Sequence, residues 1–305
     1  MIANIPHANN TDEVLSSIEA MRAQEESYQT TNYLSSHYQF SRDDMDTSSC
    51  GPQSPVDAEC RVKMAEWCYQ VVDFCHFSRE TVAIAVSYLD RYLMTGPEAL
   101  FNRKLFQLAA MTCLYTAIKI HEPEAMEPKV VSSLSRGTYT EDQVVAMEAA
   151  ILSAIGWKMN PPTALAFGHH FLALLPQDAI TNDEREMVLD AMKSQTEAAV
   201  KDCSMMDVEA STVALAALAN ALPATSLSDA DEAKFLDILG KLSKVEIHSV
   251  AFVDTQDKLC QSILPTSPIK RMSSPKTVVT KTIGGENSNN NEDDGVYNSP
   301  RSVSR

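Results

Sequence analysis

Hydrophobic positions along this chain fall on the helical period for most of its length. Met64, Trp67, Cys68, Val71, Val72 and Cys75 recur at the spacing of one helix face, and Ser54, Pro55 and Asp57 supply a start for that helix. Val82, Val86, Leu89 and Leu93 form a second stripe, with Ser78 available as a cap and Gly96-Pro97 as a stop. The third pattern, over about residues 103–120, differs in kind. Leu105, Phe106, Leu108, Met111, Leu114 and Ile118 make it apolar on nearly every side, which a helix tolerates only when neighbours surround it. A short helix is expected at Pro128–Leu134, and Thr140 with Gln143 makes a capping box for a fifth helix ending near 155. Five helices around a buried third one predict a compact all-α domain.

A second set follows. Gly156-Trp157 and Pro161-Pro162-Thr163 break the chain. Phe167, Phe171, Leu174 and Leu175 form one stripe, and Met187, Met192 and Ala199 belong to a longer helix. The segment 213–219 is small and apolar all round, which suits a second buried rod, and helices at 229–239 and 244–261 complete the set. The predicted organisation is therefore a 1–54 N-terminal region, a 55–158 first helical domain, a 159–264 second one and a 265–305 tail. Within the first region an amphipathic helix runs from Thr11 through Val14, Leu15, Ile18 and Met21, followed by Tyr28, Tyr33 and a polar linker at 41–55. The tail is rich in Pro, Ser, Asn and charge, with too little apolar surface to offset the entropy of ordering, so disorder is expected there.

Composition narrows the function classes. At 44% hydrophobic the 305 residues can bury real cores, yet no run approaches the ~18–20 apolar residues of a membrane span, and the first residues lack a signal-peptide pattern. The expectation is a soluble intracellular chain. A net charge of −16 speaks against wrapping nucleic acid, which demands concentrated Lys and Arg. The seven cysteines include no Cys-x-x-Cys, and nine glycines form no phosphate-binding loop. His169 and His170 are adjacent and point apart on a helix, while Pro123 interrupts the helix a His121-Glu122 metal motif requires. No metal, no cofactor and no catalysis are expected.

Four charges remain to be explained. Glu148 sits on the stripe defined by Val144, Ile151 and Ile155, where an unpaired carboxylate is costly, so it requires a partner. Lys119 stands near the end of the buried third helix, where a cation also suits the helix dipole. Asp90 lies between Leu89 and Leu93, and Arg61 opens the first helix. By themselves these residues allow two readings: two structural ion pairs, or a charged docking patch.

The segments 61–67 (Arg-Val-Lys-Met-Ala-Glu-Trp), 87–93 (Ser-Tyr-Leu-Asp-Arg-Tyr-Leu), Leu108-Ala109-Ala110 through Lys119, and Tyr139-Thr140-Glu141 through Glu148 resemble, in order, the signatures of a cyclin box. The resemblance covers the first domain, places Arg61, Asp90, Leu108, Lys119 and Glu148 on characteristic positions, and suggests a divergent, plant-like or algal member. It implies tandem five-helix cyclin folds, the second degenerate, and an N-terminal helix with a tyrosine-containing extension that packs across the first box, the alternative being a helix docked only on its own domain. It further implies that Lys119 and Glu148 grip the regulatory helix of a cyclin-dependent protein kinase, that Arg61 and Asp90 form an internal salt bridge, and that Leu108 is core. In this family a patch on the first helix recruits substrates or inhibitors carrying a basic, leucine-containing motif. The matching residues are Met64, Trp67, Gln70 and Gln107, with Cys60 shrinking the patch and Lys63 opposing a basic ligand. Ser267, Ser274 and Ser299 precede prolines in the tail and suit phosphorylation by the bound kinase. The resemblance implies nuclear and cytoplasmic residence. A transcription-type protein of the same fold and a helical adaptor without kinase binding stand as alternatives.

Overall fold

The computed structural model describes residues 7–34 and 55–263. The regular elements among them are helices: α1 (His7–Glu25), α2 (Ala58–Cys75), α3 (Glu80–Thr95), α4 (Arg103–His121), α5 (Pro128–Leu134), α6 (Glu141–Ala154), α7 (Ala164–Ala173), α8 (Asn182–Lys201), α9 (Ala210–Ala221), α10 (Asp229–Ser243) and α11 (Val250–Ile263). The linker expected at 41–55, apart from Pro55, and the tail with Ser267, Ser274 and Ser299 lie outside the described residues.

Two buried rods organise the helices. In α4 every residue from Leu108 to Ile118 is buried, and α2, α3, α5 and α6 pack around it. In α9 the run from Val213 to Ala219 is buried, with α7, α8, α10 and α11 around it. Each rod is the centre of its own apolar cluster. The alanines at 214, 216, 217 and 219 of α9 add little bulk, so neighbouring helices can approach its backbone closely. No described helix is long and apolar enough to cross a membrane.

Local chemistry sets the helix ends. Asp57 accepts from the Cys60 amide at 2.8 Å to start α2, and Asn102 accepts from Lys104 and Leu105 to start α4. Thr140 and Gln143 form the expected capping box of α6, and Thr181 with Glu184 forms another for α8. Replacing Thr140 by Ala removes the acceptor for one orphan amide, so we expect a loss of about 1 kcal/mol in urea unfolding, with no change in fold. A loss below the error of the measurement would show that the cap contributes nothing in this context.

Two expectations are corrected. The last helix starts at Val250 rather than near 244. Lys244 adopts a left-handed conformation at φ 56°, and the Val245 amide turns back to the Gly240 carbonyl. A Cβ on Gly240 would lie 3.0 Å from the Val245 carbonyl oxygen and from Ile247, so the absent side chain makes room for the chain to fold over α10 before α11 begins. The second correction concerns the N-terminal helix, expected to pack across the first box. Instead α1 lies against α7 and α10, and Ile18, 1% exposed, joins the second cluster. Only the strap that follows it, residues 26–34, returns to the first cluster through Tyr33.

Candidate charged docking site

The four charges form two pairs of opposite physical character. Arg61 on α2 and Asp90 on α3 are 3% and 5% exposed, and the guanidinium donates from Nε to Oδ1 at 3.0 Å and from Nη2 to Oδ2 at 2.7 Å. Burial opposes the charge on Arg61, but the hydrogen-bonded Asp90 carboxylate outweighs it and holds the guanidinium above its ordinary pKa. Arg61 Nη1 also donates to the Val200 carbonyl at 2.8 Å, next to the end of α8. It thus caps a helix of the other cluster with a cation, where the dipole favours one. The Tyr33 hydroxyl donates to Asp90 Oδ1 at 2.8 Å, and burial followed by the Asp90 charge pushes the Tyr33 pKa well up.

Tyr33 was not singled out by sequence reasoning as a partner of Asp90. An isolated tyrosine far upstream carries no periodic signal of what it touches. Tyr33→Phe removes one charge-assisted hydrogen bond and leaves Asp90 held by Arg61, so a loss of about 1–2 kcal/mol is expected. Equal urea midpoints for the two proteins would rule out a stabilising role for this contact.

Lys119 and Glu148 meet at the other end of α4. Lys119 Nζ is 3.1 Å from Oε1 and 3.2 Å from Oε2 of Glu148. The Glu148 side chain is 12% exposed and the Lys119 side chain 47%, so the carboxylate lies beneath and the ammonium reaches over it from solvent. Burial works against the Lys119 charge, but the hydrogen bond and charge of Glu148 outweigh it and raise its pKa. Thr116 Oγ1 donates to the Thr112 carbonyl and stands 3.4 Å from Glu148 Oε1, which walls the carboxylate from below. With its ammonium half open to solvent, the attraction within this pair is screened and contributes about 0–1 kcal/mol to the fold. Both groups have spare hydrogen-bonding capacity, because the ammonium carries three donors and a carboxylate about four acceptor sites.

Apolar side chains flank this pair. Ile120 is 45% exposed beside Lys119, Val145 is 51% exposed one turn before Glu148, and Leu152 is half-buried one turn after it. Val145, Glu148 and Leu152 fall at i, i+3 and i+7 and share a face of α6. Just beyond α6, Trp157 is 71% exposed and held at φ 60° directly after Gly156 at φ 62°. Periodicity hid these residues, because a half-exposed apolar side chain looks like core until its surroundings are known.

Leu108 is buried in the first cluster. Of the first-helix patch, Gln70 is exposed, Trp67 is partly buried, and Gln107 is half-buried, accepting from the Tyr139 hydroxyl at 3.0 Å. Met64, 5% exposed, and Cys60, 6% exposed, face the core instead. Met64 shares a stripe with Cys68 and Val71, and one side chain cannot line both the core and a surface patch. The expected recruitment surface is therefore narrower, and Lys63 on it is paired with Glu59 at 2.6 Å.

The family described as "Cyclin, N-terminal domain" matches residues 18–160. Cyclin-A1-4 of Oryza sativa subsp. japonica is 32% identical over 120 residues, covering 39% of this chain and 33% of that protein. Cyclin-A1-2 of Arabidopsis thaliana is 31% identical over 120 residues, covering 39% and 26% respectively. Cyclin-D3-3 of Arabidopsis thaliana is 25% identical over a longer stretch of 215 residues, covering 70% of this chain and 56% of its own length. In each case the match spans less than two thirds of the curated relative. Among solved structures, a viral cyclin from herpesvirus saimiri superposes with a TM-score of 0.59 at 17% identity, over 82% of this chain and 97% of the viral one, a likeness of fold.

Proposed function

This chain is a member of the cyclin family, and on that premise we propose that it is a regulatory subunit that binds and activates a cyclin-dependent protein kinase, performs no chemistry itself, and so controls progression of the cell cycle. Activation of a protein kinase requires an ion pair between a strand lysine and a glutamate on a mobile helix, which must be held inward. A surface that binds only the inward position of that helix shifts the population toward the active kinase, and its effect is limited by its preference for that state.

The observation that carries this reading is the Lys119–Glu148 pair, its ammonium open to solvent, on helices that also expose Ile120 and Val145. Lys119 can donate to carbonyls at the carboxyl end of a helix and Glu148 can accept from amides at an amino end, which are the backbone groups a helix leaves unpaired. Ile120, Val145, Leu152 and Trp157 supply area that would leave water on docking. Substrates or inhibitors would use what remains exposed near Trp67 and Gln70, and the complex would act in nucleus and cytoplasm.

The test is co-purification with cyclin-dependent kinases, reading both retention and histone phosphorylation. Retention of a kinase whose activity rises on binding supports the proposal. A folded chain that retains no kinase, or retains one without activating it, would leave a helical adaptor as the better description.

A further inference from the structure

Arg91, next to Asp90 on α3, is 9% exposed, and no carboxylate pairs with it among the described residues. Its Nε donates to the Ser87 carbonyl at 3.2 Å and its Nη2 to the Lys158 carbonyl at 2.9 Å. Its guanidinium packs against two rings, 4.6 Å from the centroid of Tyr28 and 5.6 Å from that of Tyr88. A buried cation without an anion is an expensive way to fill a core, and burial lowers the Arg91 pKa accordingly.

Its contacts converge on one short segment. The Met159 carbonyl accepts from the Tyr88 hydroxyl at 2.5 Å and lies 3.0 Å from His121 Nε2. The Asn160 amide donates to the Tyr28 hydroxyl at 3.2 Å. Residues 158–160 are therefore held from α3 through Arg91 and Tyr88, from the end of α4 through His121, and from the N-terminal strap through Tyr28. Immediately before them stands Trp157, exposed and in the left-handed region.

We propose that Arg91, clasped by Tyr28 of the N-terminal strap, is a positioning residue that fixes the 158–160 segment and so presents the Trp157 indole in one orientation. Resting on the kinase reading above, the strap then tunes kinase affinity through the order it imposes on this segment. The gain is pre-organisation: a loop already ordered loses less entropy when a partner docks on it.

The experiment uses the full chain with Trp67→Phe, which leaves Trp157 as the single indole of the two in the sequence. Time-resolved fluorescence anisotropy and iodide quenching then report the freedom of Trp157, beside thermal unfolding and kinase affinity. Arg91→Lys keeps the charge but loses the planar stack. Tyr28→Leu removes the outer ring from a partly exposed site, and Tyr28→Phe keeps that ring. The first two are expected to increase fast indole motion and weaken kinase binding about tenfold, with the cooperative melt retained, while Tyr28→Phe, which keeps the ring over Arg91 but loses the Asn160 hydrogen bond, gives an intermediate change in both. Unchanged indole motion in Tyr28→Leu overturns the clasp, as does a loss of affinity without a change in that motion. A parent chain that binds no kinase overturns the kinase reading and the tuning with it, whereas the anisotropy alone still decides the clasp.

Discussion

Replacing Lys119 and Glu148 together by Ala is expected to abolish retention of a cyclin-dependent kinase while leaving the chain folded. On docking, both groups would lose water and satisfy backbone groups at the ends of a helix. Truncating one partner in such a desolvated polar contact costs about 2–5 kcal/mol, or roughly thirty-fold to several thousand-fold in affinity. The same change in the free chain removes an ion pair whose ammonium is half exposed, so stability should move by about 1 kcal/mol or less. Titration of the kinase against wild type, each single variant and the double variant, with urea unfolding of all four, separates the two quantities. Equal kinase affinity in the double variant would assign the pair to structure, and a stability loss matching the affinity loss would do the same.

The opposite balance is expected for Asp90. Asp90→Ala leaves the Arg61 guanidinium buried with its carboxylate gone, and strands the Tyr33 hydroxyl as well. Breaking a buried pair in this way costs about 3–5 kcal/mol, a large share of the ~5–15 kcal/mol that holds a typical domain together. Removing both charges with apolar replacements, Arg61→Met with Asp90→Leu, should recover part of the loss. It should not recover all of it, because the Val200 carbonyl at the end of α8 then loses its donor. Urea midpoints measured across this cycle decide the matter. A double variant as stable as wild type would show that Arg61 does nothing for α8, and an Asp90→Ala loss under 1 kcal/mol would show that the pair is not buried in solution.

The two expectations point in opposite directions although the four residues looked alike as a pattern. Glu148 and Asp90 stand among apolar stripe residues and Lys119 and Arg61 near helix ends, and the sequence resemblance separated the pairs by analogy. Coordinates separate them by exposure: 4% and 6% for the side chains of Arg61 and Asp90, against 47% and 12% for those of Lys119 and Glu148. Exposure decides which effect dominates, because desolvation makes the first pair costly to break and solvent screening makes the second cheap.

Most helix positions, the caps at Asp57 and Thr140, and the rods were legible because they depend on neighbours within a few residues, whereas Ser78, expected to cap the second helix, gives way to Arg79 without a side-chain cap. Thr140 needs only Gln143 to form its capping box, and α4 and α9 declare their burial by being apolar on every side. What a side chain touches across the fold was not legible. Met64 was read both on the apolar face of its helix and in a surface patch and lies in the core, α1 was open to either placement and rests on the second cluster, and Arg91 went unremarked beside Asp90. The sequence by itself determined the all-α class, the two buried rods and the residues on which charge meets an apolar stripe. Only the tertiary structure decided that Arg61 reaches the end of α8, that Tyr33 joins Asp90 from 57 residues away, and that Trp157 stands in solvent on a clasped loop. Hydrophobic period is a property of one helix, whereas burial and partnership are properties of the space between several.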